Sequence, residues 1–396
     1  MKEAQLDTVA QFVRGVTFKG ADVEEPSASN VDCLRTKNVQ AVLDTGDVWS
    51  IARTHVKKED QYLRHGDVLI SSANSWNLVG KCCWIPELER VSTFGGFVTV
   101  LRPNPELIEP RYLYRWFSSG SVQSTVRSFA NQTTNISNLD LKRTARLKVP
   151  VPKLEEQRRI AAILDKADDL RAKRRQAIAR LDALTQSIFS EMFEASAADW
   201  PRVELRDLCE VTSGITKGRK TTSEDLTPYP YLAVSNVQDR SLNMAVVKQI
   251  AVSAAEADRF RLMRGDLLLT EGGDADKLGR GTIWNDELPW CLHQNHVFRV
   301  RPNSPRVIPV FLSWYLSAPA AKSYFLRMAK QTTGIASINK TQLSTAPVRL
   351  PPLELQQAFA TRVAAVERLK ETHRKHLAEL GALFASLQNR AFKGEL

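Results

Sequence analysis

The chain has 396 residues, five cysteines, a formal net charge of +11 at pH 7, and apolar and charged fractions usual for a soluble globular protein. No apolar run reaches the roughly 20 residues that span a bilayer, no signal-peptide pattern opens the chain, and no C-x-x-C pair is present, so the sequence signals neither a membrane span nor a disulfide framework nor a zinc knuckle. We expect a cytoplasmic protein of two or more domains, and its basic excess favours a polyanionic partner, with nucleic acid first.

The predicted elements run in one order twice along the chain. Each half starts with a block rich in short β-branched and apolar runs flanked by Gly or Pro, and two helical segments follow. A Gln-Thr-Thr loop, a short run ending in proline and a long helix complete the half. The predicted strands are 67–71, 97–101, 267–270 and 297–300, and the predicted helical segments are 110–118, 122–129, 310–316 and 320–329.

The two halves also repeat one another in sequence, at an offset of 199 residues. A period this long is too long for a solenoid and indicates two copies of a whole domain with its appendage. Two diverged copies suit a target that itself has two halves. The matching segments are 66–69 with 265–268, 102–104 with 301–303, 132–139 with 331–338, and 152–161 with 351–360.

The long helices are the strongest secondary-structure prediction. Apolar residues recur at three- and four-residue steps over about 40 residues, which corresponds to rods of roughly 60 Å. Both stripes fit a heptad of the same phase, and each is interrupted by a polar residue only at its middle member. The predicted seam residues are Ile160, Ala167, Arg174, Leu181 and Ile188 in the first helix, and Phe359, Val366, His373, Leu380 and Leu387 in the second.

A shared phase favours an antiparallel coiled coil of the two helices. Antiparallel pairing of two diverged copies would bring the midpoints together, so we expect Arg174 and His373 to lie within about two helical turns, or ~11 Å. The alternative is two independent amphipathic helices, each packed on its own domain.

The sequence contains no recognised catalytic motif. It has no Gly-x-x-x-x-Gly-Lys-Ser/Thr loop, no Gly-x-Ser-x-Gly elbow and no Asn/Asp-Pro-Pro-Tyr/Phe tetrapeptide. The pair His293 and His296 would point to opposite faces of a strand, which makes a poor metal site. We therefore expect no metal site and no catalysis by the chain alone.

Two sets of residues are candidates for DNA contact. The Gln-Thr-Thr loops could bind adenine and phosphate, with basic residues nearby, although their threonines could equally cap the next turn. Basic segments that differ between the halves are better candidates for reading sequence, with solvated loop charge as the alternative. The first set is Gln132, Thr133, Lys142, Arg143, Lys330, Gln331, Thr332 and Lys340, and the second is Arg53, Lys57, Lys58, Lys81, Lys217, Arg219, Lys220, Lys277 and Arg280.

The order of these parts resembles the specificity subunit of type I restriction-modification systems over the whole length. The resemblance is carried by the Gln-Thr-Thr-x-Ile loops, the Pro-x-Pro-x-Leu-Glu-x-Gln segment at 150–157, its counterpart at 350–356 and the ending Arg-Ala-Phe-Lys-Gly-Glu-Leu at 390–396. The first half departs slightly, with Lys153 where the second has Pro352 and Asn135 where the second has Gly334.

The resemblance implies an α+β fold of two pseudo-twofold-related α/β target recognition domains separated by two long helices in an antiparallel coiled coil. The recognition domains would be residues 1–150 and 200–350, and the spacer helices residues 151–199 and 351–396. Each domain would read half of a bipartite, asymmetric site in double-stranded DNA, and the helices would set the spacing and dock methylation subunits.

The resemblance also implies the partners. Two methylation subunits would bring S-adenosylmethionine and flip adenines for N6 methylation, and motor-nuclease restriction subunits would bring ATP and Mg. The chain itself would bind no cofactor. Two other interpretations stay open, namely a duplicated coiled-coil scaffold that reads no bases and an enzyme with an unrecognised site.

Overall fold

The computed structural model describes residues 2–132, 136–194, 197–218, 225–274, 277–332 and 335–396. The chain divides into two compact units, Met1–Gln176 with Arg374–Leu396, and Ala177–His373. Each unit contains one globular block and part of each long helix, so the functional boundaries at 150, 199 and 350 stay a prediction. The helices are α1 Leu6–Val9, α2 Pro110–Phe117, α3 Gly120–Ser128, α4 Leu141–Ala145, α5 Leu154–Phe193, α6 Ala254–Phe260, α7 Pro309–Ser317, α8 Pro319–Met328, α9 Lys340–Ser344 and α10 Leu353–Lys393.

The first unit is built on a four-stranded antiparallel sheet in the order β2-β10-β6-β8 and a second sheet in the order β3-β5-β4-β9. A two-stranded sheet pairs β1 with β13, and a three-stranded sheet has the order β11-β12-β7. The strands are β1 Glu3–Gln5, β2 Ala10–Arg14, β3 Val23–Glu24, β4 Asn30–Leu34, β5 Trp49–Ala52, β6 Val68–Ser71, β7 Ala73–Asn74, β8 Cys82–Trp84, β9 Ser92–Phe94, β10 Val98–Pro103, β11 Ala130–Gln132, β12 Ser137–Leu139 and β13 Lys148–Pro150.

The second unit repeats this plan. Its main sheet has the order β15-β24-β20-β22, its second sheet β19-β16-β23, and its small sheets join β14 to β27, β17 to β18, and β21, β26 and β25 in that order. The strands are β14 Arg202–Glu204, β15 Cys209–Ser213, β16 Thr227–Leu232, β17 Val237–Gln238, β18 Ser241–Leu242, β19 Lys248–Val252, β20 Leu267–Thr270, β21 Gly272–Gly273, β22 Gly281–Ile283, β23 Leu292–His293, β24 Val297–Pro302, β25 Lys330–Thr332, β26 Ile335–Ser337 and β27 Pro347–Arg349.

The continuous apolar runs at 68–70 and 267–269 lie in central strands that are buried on both faces. In β6, Val68 and Ile70 join the cluster that includes α2, whereas Leu69 joins the cluster on the opposite face. Because side chains alternate along a strand, a strand covered on both sides needs an unbroken apolar sequence. β20 divides in the same way, with Leu268 on one face and its two neighbours on the other.

The glutamine of the Pro-x-Pro-x-Leu-Glu-x-Gln segment has a structural role in both units. The Gln157 side chain is 1% exposed, accepts a hydrogen bond from the Glu109 backbone N–H at 2.8 Å and donates to the Pro152 carbonyl at 2.8 Å. Gln356 likewise accepts from the Ile308 N–H at 2.9 Å. Glu109 and Ile308 precede α2 and α7, so this side chain ties the start of each long helix to the start of a helix in the block.

Within each unit, parts of the two long helices pair in antiparallel fashion. In the first unit, Arg159 near the start of α5 donates to the carbonyl of Leu396, just beyond the end of α10, at 2.9 Å. In the second unit, Lys370 lies 2.6 Å from Asp182, and Phe359 packs on Phe189 with ring centroids 5.6 Å apart. The predicted α+β class, with a duplicated block and two long paired helices, is confirmed.

The ten predicted seam residues are all buried or half-buried. Ile160, Ala167, Phe359 and Val366 are less than 9% exposed, and the others are intermediate. Arg174 and His373 belong to different units, so their separation stays a prediction.

The buried His293 makes the second unit sensitive to acid. Its side chain is fully buried, its Nδ1 lies 2.7 Å from the Val297 carbonyl, and burial lowers the pKa of the imidazole from 6.5 to about 4. Below pH 6.5 the unfolded chain therefore binds a proton at His293, whereas the folded chain does not bind it until the pH approaches 4. The stability of the second unit should fall by about 3 kcal/mol as the pH drops from 7 to 4.

The repeat supplies the control for this prediction, because Phe94 occupies the position equivalent to His293 and is also fully buried. His293→Phe should remove most of the pH dependence between pH 7 and 4. Denaturant-dependent hydrogen exchange of the β23 and β24 amides measures the free energy of unfolding in both chains. Equal pH dependence in the two would contradict the assignment to His293.

Candidate nucleic-acid interface

The Gln-Thr-Thr segments form hairpins on a small sheet in both units. β11 pairs with β12, and β12 pairs with β7. In the second unit β25 pairs with β26, and β26 pairs with β21. Gln132 is an exposed residue at the end of β11, and Gln331 and Thr332 end β25. Thr133 lies outside the described residues. We call each of these three-stranded arrangements the hairpin sheet.

A short helix follows each hairpin, and together the two helices carry three of the predicted basic residues. Lys142 and Arg143 are exposed on α4, where the Asp140 side chain caps the helix by accepting from the Arg143 backbone N–H at 2.9 Å. The Arg143 guanidinium lies 4.4 Å over the Phe129 ring. Lys340 is the exposed first residue of α9, which Asn339 caps in the same way. The structure thus places these three residues directly after the hairpins.

The loops that follow β7 and β21 carry further predicted residues. Lys81 donates to the Gln40 side chain at 2.5 Å. Lys277 is ion-paired with Asp274, and this hydrogen bond lowers the pKa of the Asp274 carboxyl below its ordinary value. The backbone of Arg280 is held beside β20, where the Thr270 N–H donates to its carbonyl at 2.9 Å.

The other candidates lie elsewhere in the blocks. Arg53, Lys57 and Lys58 are exposed on turns after β5, and the Gln61 side chain accepts from the backbone N–H groups of both lysines. Lys217 is exposed in the turn after β15, whereas Arg219 and Lys220 lie outside the described residues. The hairpin sheets and the segments next to them along the chain therefore carry about half of the sequence-predicted residues.

Metal-binding clusters and membrane-spanning helices can be considered for the described residues only. No cluster of His, Cys, Asp and Glu that could hold an ion occurs in the described part of the chain. His293 is buried, whereas His296 is exposed with its Nδ1 2.6 Å from a Glu271 carboxylate oxygen, so the two rings do not converge. A search of the described helices finds none with the length and apolarity to cross a bilayer.

Removing charge at 217–220 tests the proposed phosphate contacts. Replacing Lys217, Arg219 and Lys220 by alanine should weaken DNA binding and reduce the slope of log affinity against log salt by up to about 3, because each lost phosphate contact removes roughly 0.9. The measurement is binding of the assembled complex between low and physiological salt. Arg206→Ala, which removes a charge already paired with Glu204 at 2.6 Å, is the control. Unchanged affinity in the triple variant would remove these residues from the interface.

Known proteins are similar to this chain in sequence. The sequence model of the family described as "Type I restriction modification DNA specificity domain" matches residues 2–180 and 197–382. The EcoKI specificity subunit of Escherichia coli K12 is 24% identical, over 99% of this chain and 88% of that protein. The StySPI specificity subunit of Salmonella potsdam is also 24% identical over the same shares. The EcoBI specificity subunit of Escherichia coli is 32% identical, over 63% of this chain and 58% of its own length.

Two solved structures have a similar fold. The S subunit of the type I system from M. genitalium aligns with a TM-score of 0.55 at 14% identity, over 99% of this chain and 96% of that one. A chain solved in work on assembly and conformational transition of a type I restriction-modification system aligns with a TM-score of 0.58 at 18% identity, over 100% and 98%. Because the family match spans both repeats and nearly the whole length, the chain belongs to the family of type I restriction-modification DNA specificity subunits.

Proposed function

We propose that each unit reads one half of a bipartite, asymmetric DNA site and that the paired helices fix the distance between the halves. The observation that carries this proposal is the contrast between a repeated framework and diverged loops. The main sheet, the hairpin sheet and the buried glutamine recur in both units, whereas the basic segments around them differ. Equal frameworks with unequal exposed side chains suit two different half-sites.

Within each unit, phosphate contacts would supply affinity and base contacts would supply sequence preference. Exposed lysines and arginines beside the hairpin sheets would supply the salt-dependent affinity and position the duplex. Side chains that differ between the units would supply the sequence preference through base edges in the major groove.

The chemistry would come from partners rather than from this chain. Two methylation subunits would dock on the helices and blocks, bringing S-adenosylmethionine for transfer of a methyl group to adenine N6. Restriction subunits would bring ATP and Mg for translocation and cleavage. The family description, which names DNA specificity, favours this proposal over a scaffold that reads no bases.

The test is a map of methylated adenines in DNA from cells that express this chain with its methylation subunit. We expect one motif of two unlike half-sites separated by bases that go unread. The purified chain alone should methylate nothing. Methylation without a bipartite motif would contradict the proposal, and sequence-independent DNA binding by the complex would favour the scaffold.

A further inference from the structure

The turn that leads into the β10 strand of the first unit, and its counterpart before β24, share one backbone arrangement. The Phe97 carbonyl accepts hydrogen bonds from the Ser72 and Ala73 N–H groups at 3.0 and 3.1 Å. The equivalent His296 carbonyl accepts from the Glu271 N–H at 3.0 Å. Ala73 begins β7 of the hairpin sheet, so each turn lies against the sheet that gathers the predicted DNA contacts.

A second hydrogen bond fixes the same strand segment to the hairpin in both units. The Ser72 carbonyl accepts from the Leu139 N–H at 2.8 Å, and the Glu271 carbonyl accepts from the Ile338 N–H at 3.0 Å. The turn, residue 72 or 271 and the end of the hairpin thus form one continuous chain of backbone hydrogen bonds.

Close backbone packing holds the turns from the other side. A Cβ atom on Gly15 would lie 2.2 Å from the Gly95 carbonyl oxygen, and one on Gly214 would lie 2.6 Å from the equivalent Gln294 carbonyl oxygen. Both positions therefore require glycine, and the backbone of each turn is set by the framework rather than by its own side chains.

The side chains on these equivalent turns differ, with Phe97 and His296 exposed and Gln294 and Asn295 half-buried. The first unit has Gly95, Gly96 and Phe97, with the Phe97 side chain 65% exposed. The second unit has Gln294, Asn295 and His296. Single exposed apolar residues are common on proteins. Here, however, the same rigid backbone presents an aromatic ring in one unit and polar amide and imidazole groups in the other.

The polar turn is held in a defined orientation. His296 Nδ1 lies 2.6 Å from Glu271, and its Nε2 lies 3.4 Å from the Asn295 amide nitrogen. Ser72 stands where the second unit has Glu271, so this carboxylate partner is also particular to the second unit.

We propose that these two turns are base-reading elements, with Phe97 contacting the first half-site and Gln294, Asn295 and His296 contacting the second. The proposal rests on the proposed function and names residues that read the bases. An aromatic side chain makes apolar contact with the thymine methyl group, whereas glutamine and asparagine form paired hydrogen bonds with adenine in the major groove. The neighbouring lysines and arginines would hold the phosphates and so place each turn at the groove.

The experiment maps methylated adenines in cells that express the methylation subunit with either the wild-type chain, Phe97→Ala or His296→Ala. Phe97→Ala should relax one or more base positions in one half-site by roughly 4-fold, the discrimination expected from one lost contact with a thymine methyl group, and leave the other half-site unchanged. His296→Ala should relax positions only in the opposite half-site. Val42→Ala, at a 79% exposed apolar residue of the same block, is the matched control and should leave the motif as it is.

A second pair of variants guards against loss of folding. Phe97→Leu keeps an apolar group of similar size, and His296→Gln keeps a hydrogen-bonding one, so both should shift base preference within the same half-site. A wild-type motif that is not bipartite would defeat the proposed function as well. Two results would show that the turns do not read bases while leaving the proposed function intact. In both, the wild-type motif is bipartite. In the first, all four variants methylate the same motif as the wild type, and in the second, they methylate both half-sites less to the same extent.

Discussion

Deleting one heptad from each long helix is expected to shorten the unread spacer between the half-sites while leaving both half-site sequences unchanged. Seven residues at 1.5 Å per residue shorten each helix by roughly 10 Å, which matches about three base pairs at 3.4 Å per step. Seven residues also complete nearly two helical turns, so the apolar seam stays continuous. This variant therefore changes the length of the helices without changing the phase of the apolar seam.

Residues 173–179 and 371–377 are suitable heptads because their removal joins seam residues of like character. The ion pair between Lys370 and Asp182 and the packing of Arg171 on Phe384, at 4.5 Å, remain in place. The deletion also removes Arg174 and His373. Arg174→Leu combined with His373→Leu is therefore the control, and it should leave the spacer unchanged because neither helix is shortened.

Deleting five residues from each helix provides the contrast. Five residues turn a helix by about 140° beyond a full turn, which would take the apolar stripe out of the seam. We expect this variant to lose methylation at the bipartite motif. If the heptad deletion leaves the spacer in the methylation map unaltered, the helices do not set the distance. A change in the half-site bases would show that the helices contribute to reading.

The repeat made the framework predictable from the sequence. Residues that recur at the same offset include those of β6 and β20, and the predicted helical segments agree with α2, α3, α7 and α8 to within a few residues. Self-similarity works here because many of the side chains that build the fold are alike in both copies, although the buried pairs Phe94 and His293, and Val100 and Arg299, are not. The heptad phase predicted α5 and α10 for the same reason.

What the sequence alone could not give is the set of contacts between distant residues. Nothing local to Gln157 indicates that its amide meets the N–H of Glu109, 48 positions earlier. β16 was not predicted because Pro228 and Pro230 interrupt its pattern, and pairing with β19 overrides that local preference.

The turn at Phe97 was not predicted from the sequence, because its residues do not recur in the second half. Gly-Gly-Phe and Gln-Asn-His share no residue, so a search for repeats passes over them. The flanking repeats align the two segments at the same offset, and the matching hydrogen bonds of the Phe97 and His296 carbonyls show that their backbones are equivalent. Repetition identifies the framework, and the structure is needed to find where the framework presents different side chains.

Arg102→Ala is expected to cost the first unit about 3 to 5 kcal/mol of stability, because it leaves a charged carboxylate buried without its partner. The Asp67 side chain is 1% exposed, and Arg102 binds both its oxygens, through Nε at 2.8 Å and Nη2 at 2.7 Å. The guanidinium also donates to the backbone carbonyls of Asp60 and Tyr62. The change therefore removes four hydrogen bonds from the link between the main sheet and its neighbouring loop.

The second unit offers a graded comparison, because Arg301 binds Asp266 in the same way. There the buried Arg299 also interacts electrostatically with Asp266, whereas the equivalent residue of the first unit is the apolar Val100. Arg301→Ala should consequently destabilise its unit less than Arg102→Ala destabilises the first, since Arg299 still balances part of the carboxylate charge.

Hydrogen exchange resolves the two units separately and measures the free energy of unfolding in each. Arg90→Ala is the control, because its ion pair with Asp32 at 3.1 Å is half exposed and such pairs contribute about 0 to 1 kcal/mol. We expect losses in the order Arg102→Ala, Arg301→Ala and Arg90→Ala, with the first confined to the first unit. If Arg102→Ala and Arg90→Ala lower the free energy of unfolding equally, the buried ion pair does not stabilise the main sheet. Equal losses from Arg102→Ala and Arg301→Ala would instead assign no compensating role to Arg299.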